Sequence, residues 1–259
     1  MEQDIPVVAK KLARNAGVLL KKYYCKKNTL TYKIDTSLVT EADLAADRYL
    51  RTEIEKFFPS HSIMSEESPE KKTSSDYQWI IDPLDGTTNF SICNPFFGVS
   101  ICVLFEGTAQ VGVIYSPIQD ELFWSIKGKG AFLNNRPIIV DNQKDIEKSV
   151  ITFCNGRDID SRKILIQIYQ NLKLRNNRIR QIGSAALELS YVAAARTGGF
   201  FMPGVNSWDI LAGSLIVEEA KGKVTDFYGK KFTIRSQNLI AAPESVHQAL
   251  LELIQQMNF

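Results

Sequence analysis

The residues best suited to chemistry lie in one short segment, residues 79–90, which reads WIIDPLDGTTNF. An apolar strand runs there into a turn in which Asp82 precedes a proline and Asp85 precedes a glycine. Because proline fixes φ and glycine permits a tight reversal, we expect both carboxylates to converge on the side of the Leu84 carbonyl. Three oxygens in this arrangement suit Mg²⁺, which prefers hard oxygen ligands.

Other kinds of site find little support in the sequence. The two histidines, His61 and His247, have no second histidine or cysteine at ligand spacing, which argues against a zinc site and a histidine-based triad. His61 follows a Pro-Ser pair and is predicted to be an exposed loop residue. No glycine-rich phosphate loop occurs. An ordinary Asp-Gly turn with Thr88 as a helix cap is the structural alternative to the metal site, but the two threonines after the glycine make the whole run more specific.

Four sequence elements together resemble the inositol monophosphatase family of Mg²⁺-dependent, lithium-sensitive phosphatases. In chain order they are LVTEAD with Asp43, SEES with Glu66 and Glu67, the run described above, and WDILAG at residues 208–213. The resemblance covers residues 33–222. It implies a hydrolase of phosphate monoesters that resembles inositol-1-monophosphatase.

The resemblance implies a metal centre of two or three Mg²⁺ ions. Glu66 would be shared by the activating ion and a loosely held ion, and Asp82 would bridge two ions. Glu67 would lie behind the ligands, and Lys33 would lie near the loosest ion, although a surface position suits this lysine equally. From the residues alone, the two glutamates form an exposed acidic pair and Asp209 is a helix cap or first-turn acid. The implied ligands are Glu66, Asp82, the Leu84 carbonyl, Asp85 and Asp209.

The resemblance also implies the catalytic groups. Glu66 and Thr87 would orient and deprotonate a water for in-line attack on phosphorus. The sequence TEAD fits a helix capping box, and we expect Asp43 both to cap that helix and to accept a hydrogen bond from Thr87. The residues expected to bind the substrate are Asp85, Gly86, Thr87, Gly183, Ser184, Ala185 and Asp209.

One departure from the family pattern concerns the leaving group. Six to eight residues before Trp208, inositol-cleaving members carry a glutamate that binds ring hydroxyls, and this chain has Met202 there. A thioether is a weak acceptor, so we expect weak hydrolysis of inositol monophosphate and tolerance of other small phosphate monoesters. The alternatives are a phosphatase for a nucleotide 3′-phosphate, fructose bisphosphate or histidinol phosphate, or a non-catalytic metal-binding scaffold.

Three patterns describe the elements that must position these residues. Apolar spacing predicts amphipathic helices over residues 5–23 and 40–58. Apolar runs between turn signals predict an antiparallel meander over residues 78–140, followed by alternating strands and helices. The chain is therefore predicted to be α/β (α+β). The resemblance implies a layered αβαβα sandwich of the inositol monophosphatase and fructose-1,6-bisphosphatase type, with residues 1–145 carrying most metal ligands and residues 146–259 completing one compact unit.

Composition excludes several classes of protein. The 259 residues hold 31 Lys and Arg against 29 Asp and Glu, a net charge of +2, which is too small for a dedicated nucleic-acid binder. Neither a membrane-spanning run nor a signal-peptide pattern is present in the sequence. The four cysteines form no CxxC pair, which favours reduced thiols and a cytoplasmic location.

The expected partners are a small phosphorylated substrate and a second copy of the chain, with no nucleic acid and no membrane. The homodimer is implied by the family resemblance. Phe96, Phe97 and Tyr115 would supply its contact or lie in the core, and the sequence favours neither over the other.

Overall fold

The computed structural model describes residues 4–26, 30–32, 38–142 and 145–257. Its helices are α1 (Ile5–Tyr23), α2 (Glu41–Phe57), α3 (Thr87–Ser91), α4 (Ile159–Arg175), α5 (Ala185–Ala193), α6 (Ser207–Glu219) and α7 (Glu244–Gln255). Its strands are β1 (Leu30–Tyr32), β2 (Leu38–Thr40), β3 (Ser62–Ser65), β4 (Tyr77–Asp85), β5 (Gly98–Phe105), β6 (Thr108–Ser116), β7 (Glu121–Ile126), β8 (Ala131–Leu133), β9 (Arg136–Ile138), β10 (Ile151–Phe153), β11 (Ile179–Arg180), β12 (Gly199–Pro203), β13 (Lys223–Thr225) and β14 (Asn238–Ala242).

Strands β3 to β9 form a seven-stranded sheet in chain order, which confirms the predicted meander. All its neighbours are antiparallel except β3 and β4, which run parallel. Alternate residues of a strand face opposite sides of the sheet. In β4, Trp79 and Ile81 therefore pack with α1 and α2, whereas Ile80 packs with α5 and α6. Both faces of this sheet are buried beneath helices.

The second sheet has the order β11-β10-β12-β14-β13 and mixes parallel with antiparallel pairs. One face, with Phe200 and Met202 of β12, joins the core around α5 and α6. The other face, with Phe201, packs against α4 and α7. The layers are thus α1 and α2, the first sheet, α5 and α6, the second sheet, and α4 and α7. This is the predicted αβαβα sandwich.

Helix α6 lies close both to strand β6 of the first sheet and to its neighbour α5 in the central layer. A Cβ on Gly112 of β6 would lie 2.7 Å from the backbone oxygen of Ala212, and a Cβ on Gly213 would lie 2.6 Å from the Leu189 side chain. Only glycine allows such an approach without displacing the helix. This packing fixes the position of α6, whose first turn carries Asp209.

The prediction that His61 is exposed is wrong. The side chain is 2% exposed, accepts a hydrogen bond from Trp79 Nε1 at 3.0 Å and stacks between Phe58 and Tyr77. Because β3 pairs with β4, Tyr77 and Trp79 of β4 lie next to His61, which immediately precedes β3. The polar local sequence around His61 does not reveal these long-range contacts.

The structure decides the state of the cysteines and the place of the aromatic residues. Cys25 and Cys93 form a disulfide, so the prediction of four reduced thiols is wrong for this pair. Cys102 and Cys154 are free and buried.

Phe96, Phe97 and Tyr115 are buried within this chain, which places them in the core rather than at a contact with a second copy. None of the described helices has the length and apolar composition needed to cross a membrane.

Replacement of Gly112 by alanine tests the seating of α6. Because the new Cβ would meet a backbone oxygen that no rotamer change can move, we expect Gly112→Ala to lower the free energy of unfolding by about 1 to 3 kcal/mol. Urea denaturation measures this loss. Gly107→Ala is the control, since its Cβ would meet nothing within 4 Å and only its positive φ carries a cost. A smaller loss for Gly112→Ala than for the control would contradict the packing argument.

Candidate active site

The segment predicted to be a turn differs in part from that prediction, because β4 continues through Asp85 with irregular pairing to β5 between Asp82 and Asp85, and the turn is at Gly86. Asp82 Oδ1 accepts a hydrogen bond from the Leu84 N–H at 2.9 Å, which fixes the carboxylate near the end of the strand. Gly86 has φ +93°, and a Cβ there would lie 3.1 Å from the Phe96 oxygen and 3.2 Å from the Gly183 oxygen. The turn after β4 therefore abuts the turn before α5, and both border one cleft.

Three carboxylates meet at this point from separate elements. Glu66 follows β3, Asp82 lies near the end of β4, and Asp209 occupies the first turn of α6. One oxygen from each lies within 4.8 Å of the others. An oxygen-only ligand set of this size fits a hard divalent cation such as Mg²⁺.

Electrostatics also fits a cation. Burial raises the pKa of Asp82 well above its ordinary value, and the negative charge of Glu66 raises it further. The same two causes raise the pKa of Asp209 to about 8. For Asp85, burial raises the pKa to about 6, while hydrogen bonds from Ser184 oppose the rise. Buried groups that repel one another in this way gain stability when a cation neutralises them.

Asp85 lies beside this cluster but faces α5. Its Oδ2 accepts hydrogen bonds from the Ser184 hydroxyl at 2.5 Å and from the Ala186 N–H at 2.8 Å. Ser184 in turn caps α5. Asp85 thus connects the end of β4 to the turn that contains Gly183, and its assignment as a metal ligand stays a prediction.

Asp43 performs both of the structural tasks predicted for it. Its Oδ2 accepts the Thr40 N–H at 2.8 Å, which completes the capping box of α2. Its Oδ1 accepts the Thr87 hydroxyl at 3.0 Å. The Leu84 oxygen also lies 3.1 Å from that hydroxyl. One buried carboxylate therefore holds the start of a helix and orients Thr87.

Two buried acids that the sequence did not single out support the site. Asp47, one helical turn after Asp43, accepts hydrogen bonds from Ser65 and Ser68 on either side of the Glu66-Glu67 pair. Its spacing on the buried face of α2 was a usable signal. The second acid, Glu188, is fully buried and accepts the Gly183 N–H at 2.9 Å.

Arg157 is the third residue that sequence reasoning missed. Its guanidinium contacts the Glu66 carboxylate, which it approaches from the loop between β10 and α4. The two residues lie 91 positions apart in sequence. The pair places a positive charge directly at the cluster of carboxylates.

The cleft has a volume of about 730 Å³ and brings together most of the predicted site residues. Met202 lines its wall and is 4% exposed. Glu67 is half-buried, and its N–H donates to the Ser65 hydroxyl at 3.4 Å. Lys33 lies outside the described residues. The predicted residues that line the cleft are Glu66, Asp82, Leu84, Asp85, Gly86, Thr87, Gly183, Ala185, Met202 and Asp209.

Comparison with known proteins identifies the family. The model of the inositol monophosphatase family matches residues 1–258. The chain belongs to the inositol monophosphatase family. The Nus factor SuhB of Pasteurella multocida is 40% identical over 254 residues, which cover 96% of this chain and 94% of that protein.

Solved structures of the family share the fold. The extragenic suppressor protein SuhB from Bartonella henselae has a TM-score of 0.94 at 35% identity and covers 99% of this chain and 100% of its own. The Thermotoga maritima IMPase has a TM-score of 0.90 at 35% identity, with 98% of both chains covered.

Family membership supports a phosphatase-type fold, and the family is Mg²⁺-dependent in general. The name Nus factor belongs to the relatives and does not mention phosphate esters. The prediction of no nucleic-acid partner rested on the balance of charge alone, and that name does not support it.

The raised pKa values predict a pH-dependent response to Mg²⁺. A carboxyl group whose folded-state pKa is raised stabilises the fold at low pH and loses that contribution as pH rises through the folded-state value, about 8 for Asp209. Because Mg²⁺ binds the ionised carboxylates, we expect it to raise Tm more at about pH 8 than at about pH 6. Thermal unfolding in Mg²⁺ and in chelator measures the difference.

The matched variant is Asp209→Asn, which keeps the side-chain shape and removes one charge. It should reduce the Tm increase caused by Mg²⁺. An increase of equal size at both pH values, or one that Asp209→Asn leaves unchanged, would contradict a metal site at these carboxylates.

Proposed function

We propose that the chain is a Mg²⁺-dependent hydrolase of small phosphate monoesters. The observation that carries this proposal is the convergence of Glu66, Asp82 and Asp209 beside Thr87, whose hydroxyl is already oriented by Asp43. A scaffold that only bound partners would not need an oriented hydroxyl next to buried ligands. The ligand set and the hydroxyl together therefore favour catalysis over the non-catalytic alternative.

Within this proposal, Glu66, Asp82 and the Leu84 carbonyl would hold one Mg²⁺, and Asp85 and Asp209 would hold another, which Asp82 would share. When bound, Mg²⁺ acts as a Lewis acid that acidifies water and neutralises charge on the phosphoryl oxygens. Phosphoryl transfer requires mainly such positioning and neutralisation, so the site needs no histidine or cysteine nucleophile.

Thr87 and Glu66 prepare the attacking water. Because the Thr87 hydroxyl donates its hydrogen bond to Asp43, its oxygen lone pairs are available to accept a hydrogen bond from the attacking water and so to orient it. The Glu66 carboxylate is the second acceptor and takes the proton as the water attacks phosphorus in line. The N–H groups of Gly86 and Thr87 and the turn of Gly183, Ser184 and Ala185 receive the substrate.

The leaving group is the less constrained part of the substrate. The buried thioether of Met202 stands at the position where the family resemblance implies a polyol-binding glutamate. A thioether offers an adaptable apolar contact in place of a charged acceptor. Inositol monophosphate is thus a weak substrate in this proposal, and other small monoesters are accepted.

Phosphate release from a panel of monoesters tests the metal requirement. We expect activity with Mg²⁺, none in chelator, and inhibition by Li⁺ and by excess Mg²⁺, because a singly charged cation can take the place of the ion near Asp209 after turnover. Full activity in chelator would remove the metal from the mechanism. Insensitivity to high Li⁺ would remove only the analogy with the family at that position.

Substitution of Thr87 tests the orientation of the water. Thr87→Ala should lower kcat by roughly 10²-fold, because the fixed acceptor is lost while the metal ligands remain. Thr87→Ser is the matched control, since it keeps the hydroxyl and should keep most of the activity. Steady-state kinetics at saturating Mg²⁺ distinguishes the two. If Thr87→Ala kept near-normal kcat, the role of Thr87 would have to be abandoned.

A further inference from the structure

We propose that the cleft binds phosphate esters whose leaving group carries a second anionic group, and that Arg157 with Arg162 recognises this group. The inference rests on the proposed function and specifies its substrate class. The lining of the cleft carries both negative and positive side chains. The carboxylates among the described lining residues are Glu66, Asp82, Asp85 and Asp209, and both lining arginines come from the segment that enters and begins α4.

The arginine side of the cleft is formed by the loop between β10 and α4. Its backbone is fixed, since the Gly156 N–H donates to the Pro203 oxygen at 2.7 Å and a Cβ on Gly156 would lie 2.7 Å from the Gly204 Cα. Asp158 caps α4 immediately afterwards. Arg157 therefore extends into the cleft from a rigid base, next to the strand end that carries Met202.

Arg157 lies between two cavities. Among the residues that the structure describes, a second cavity of about 1230 Å³ has Glu66 and Arg157 alone in common with this cleft. The Arg157 guanidinium contacts the Glu66 carboxylate, and the Arg157 side chain is 38% exposed, whereas the Glu66 side chain is 7% exposed. The arginine thus reaches from the ligand cluster to the open space between the two cavities.

Arg162 supports the same site from the first turn of α4. One of its guanidinium N–H groups donates to the Arg157 carbonyl at 2.7 Å. A guanidinium has further donors in the same plane, which match the oxygens of a phosphate or carboxylate. If Glu66 held Mg²⁺, its charge would no longer need the Arg157 guanidinium, and this arginine would be able to pair with an anion on the substrate.

Met202 contributes an uncharged side chain to the same cleft. A carboxylate at this position would repel an anionic leaving group and would hydrogen-bond a neutral polyol. A thioether does neither. The replacement therefore removes the group that would favour a polyol and leaves two cations in the same cleft, which together favour an anion.

Two esters with the same carbon skeleton test the proposal. In 2-phosphoglycerate a carboxylate replaces one CH₂OH group of glycerol 2-phosphate, while the scissile phosphate is unchanged. We expect the wild-type protein with Mg²⁺ to prefer 2-phosphoglycerate in kcat/KM by roughly 10- to 100-fold, the value of one charge-assisted hydrogen bond. Equal rates, or a preference for glycerol 2-phosphate, would overturn the proposal.

The variants show whether the arginines cause the preference. Arg157→Gln and Arg162→Gln should each reduce the ratio of the two kcat/KM values, and Arg157→Lys should restore part of it. Lys173→Gln is the control, because Lys173 lies on α4 outside the cleft and bonds to the Asn177 carbonyl. If Arg157→Gln lowered both kcat/KM values by the same factor, Arg157 would act through Glu66 alone, and the proposal would be wrong.

Calorimetry separates this inference from the proposed function. If the wild-type protein released phosphate from neither ester nor from any other member of the monoester panel, the proposed function would fail. Calorimetric binding of the same two compounds to the Mg²⁺-loaded protein would then still test the arginines. Tighter binding of 2-phosphoglycerate that is lost in Arg157→Gln supports the anion site, and equal binding of both compounds overturns it.

Discussion

The structure must hold several carboxylates together where water hardly reaches them. Burial and mutual repulsion both favour the neutral forms of Asp82 and Asp209, and neither side chain can move away. Asp82 is fixed by its hydrogen bond from the Leu84 N–H near the end of β4 in the first sheet. Asp209 is fixed by α6, which packs against Gly112 of the same sheet. The repulsion is relieved only by protonation or by a cation, so the rigid layers keep the site ready for a metal.

The layers also divide the tasks of the site between the two sheets. Elements of the first sheet and α2 bring Glu66, Asp82 and Thr87 together, which are the groups nearest to phosphorus in the proposed reaction. The second sheet supplies Met202 and the loop before α4 supplies Arg157, and both would face the leaving group in the proposed reaction. Helix α6 lies between the sheets and joins the two sets through Asp209. In this arrangement the groups around the leaving group can change while the metal ligands stay in place.

Sequence reasoning succeeded where the causes are local or where several motifs occur in order. The helix periods, the meander and the capping pattern at Asp43 depend on neighbouring residues, and the structure confirms them. It failed where the partner lies far along the chain. His61 resembles a loop residue until β3 pairs with β4, and the Cys25–Cys93 disulfide has no spacing signal. Arg157 contacts Glu66 only in the folded chain, because the two residues are distant in sequence.

The two hydrogen bonds of Asp43 have a consequence for conformational populations. One oxygen closes the first turn of α2 and the other holds Thr87, so both contacts depend on the same side-chain position. Helix ends open and close locally far more often than the whole domain unfolds. Each opening of this helix end would release the hydroxyl, and the fraction of molecules ready for turnover could not exceed the fraction in which the first turn is closed. Fraying at the start of α2 would therefore limit the turnover rate without unfolding the protein.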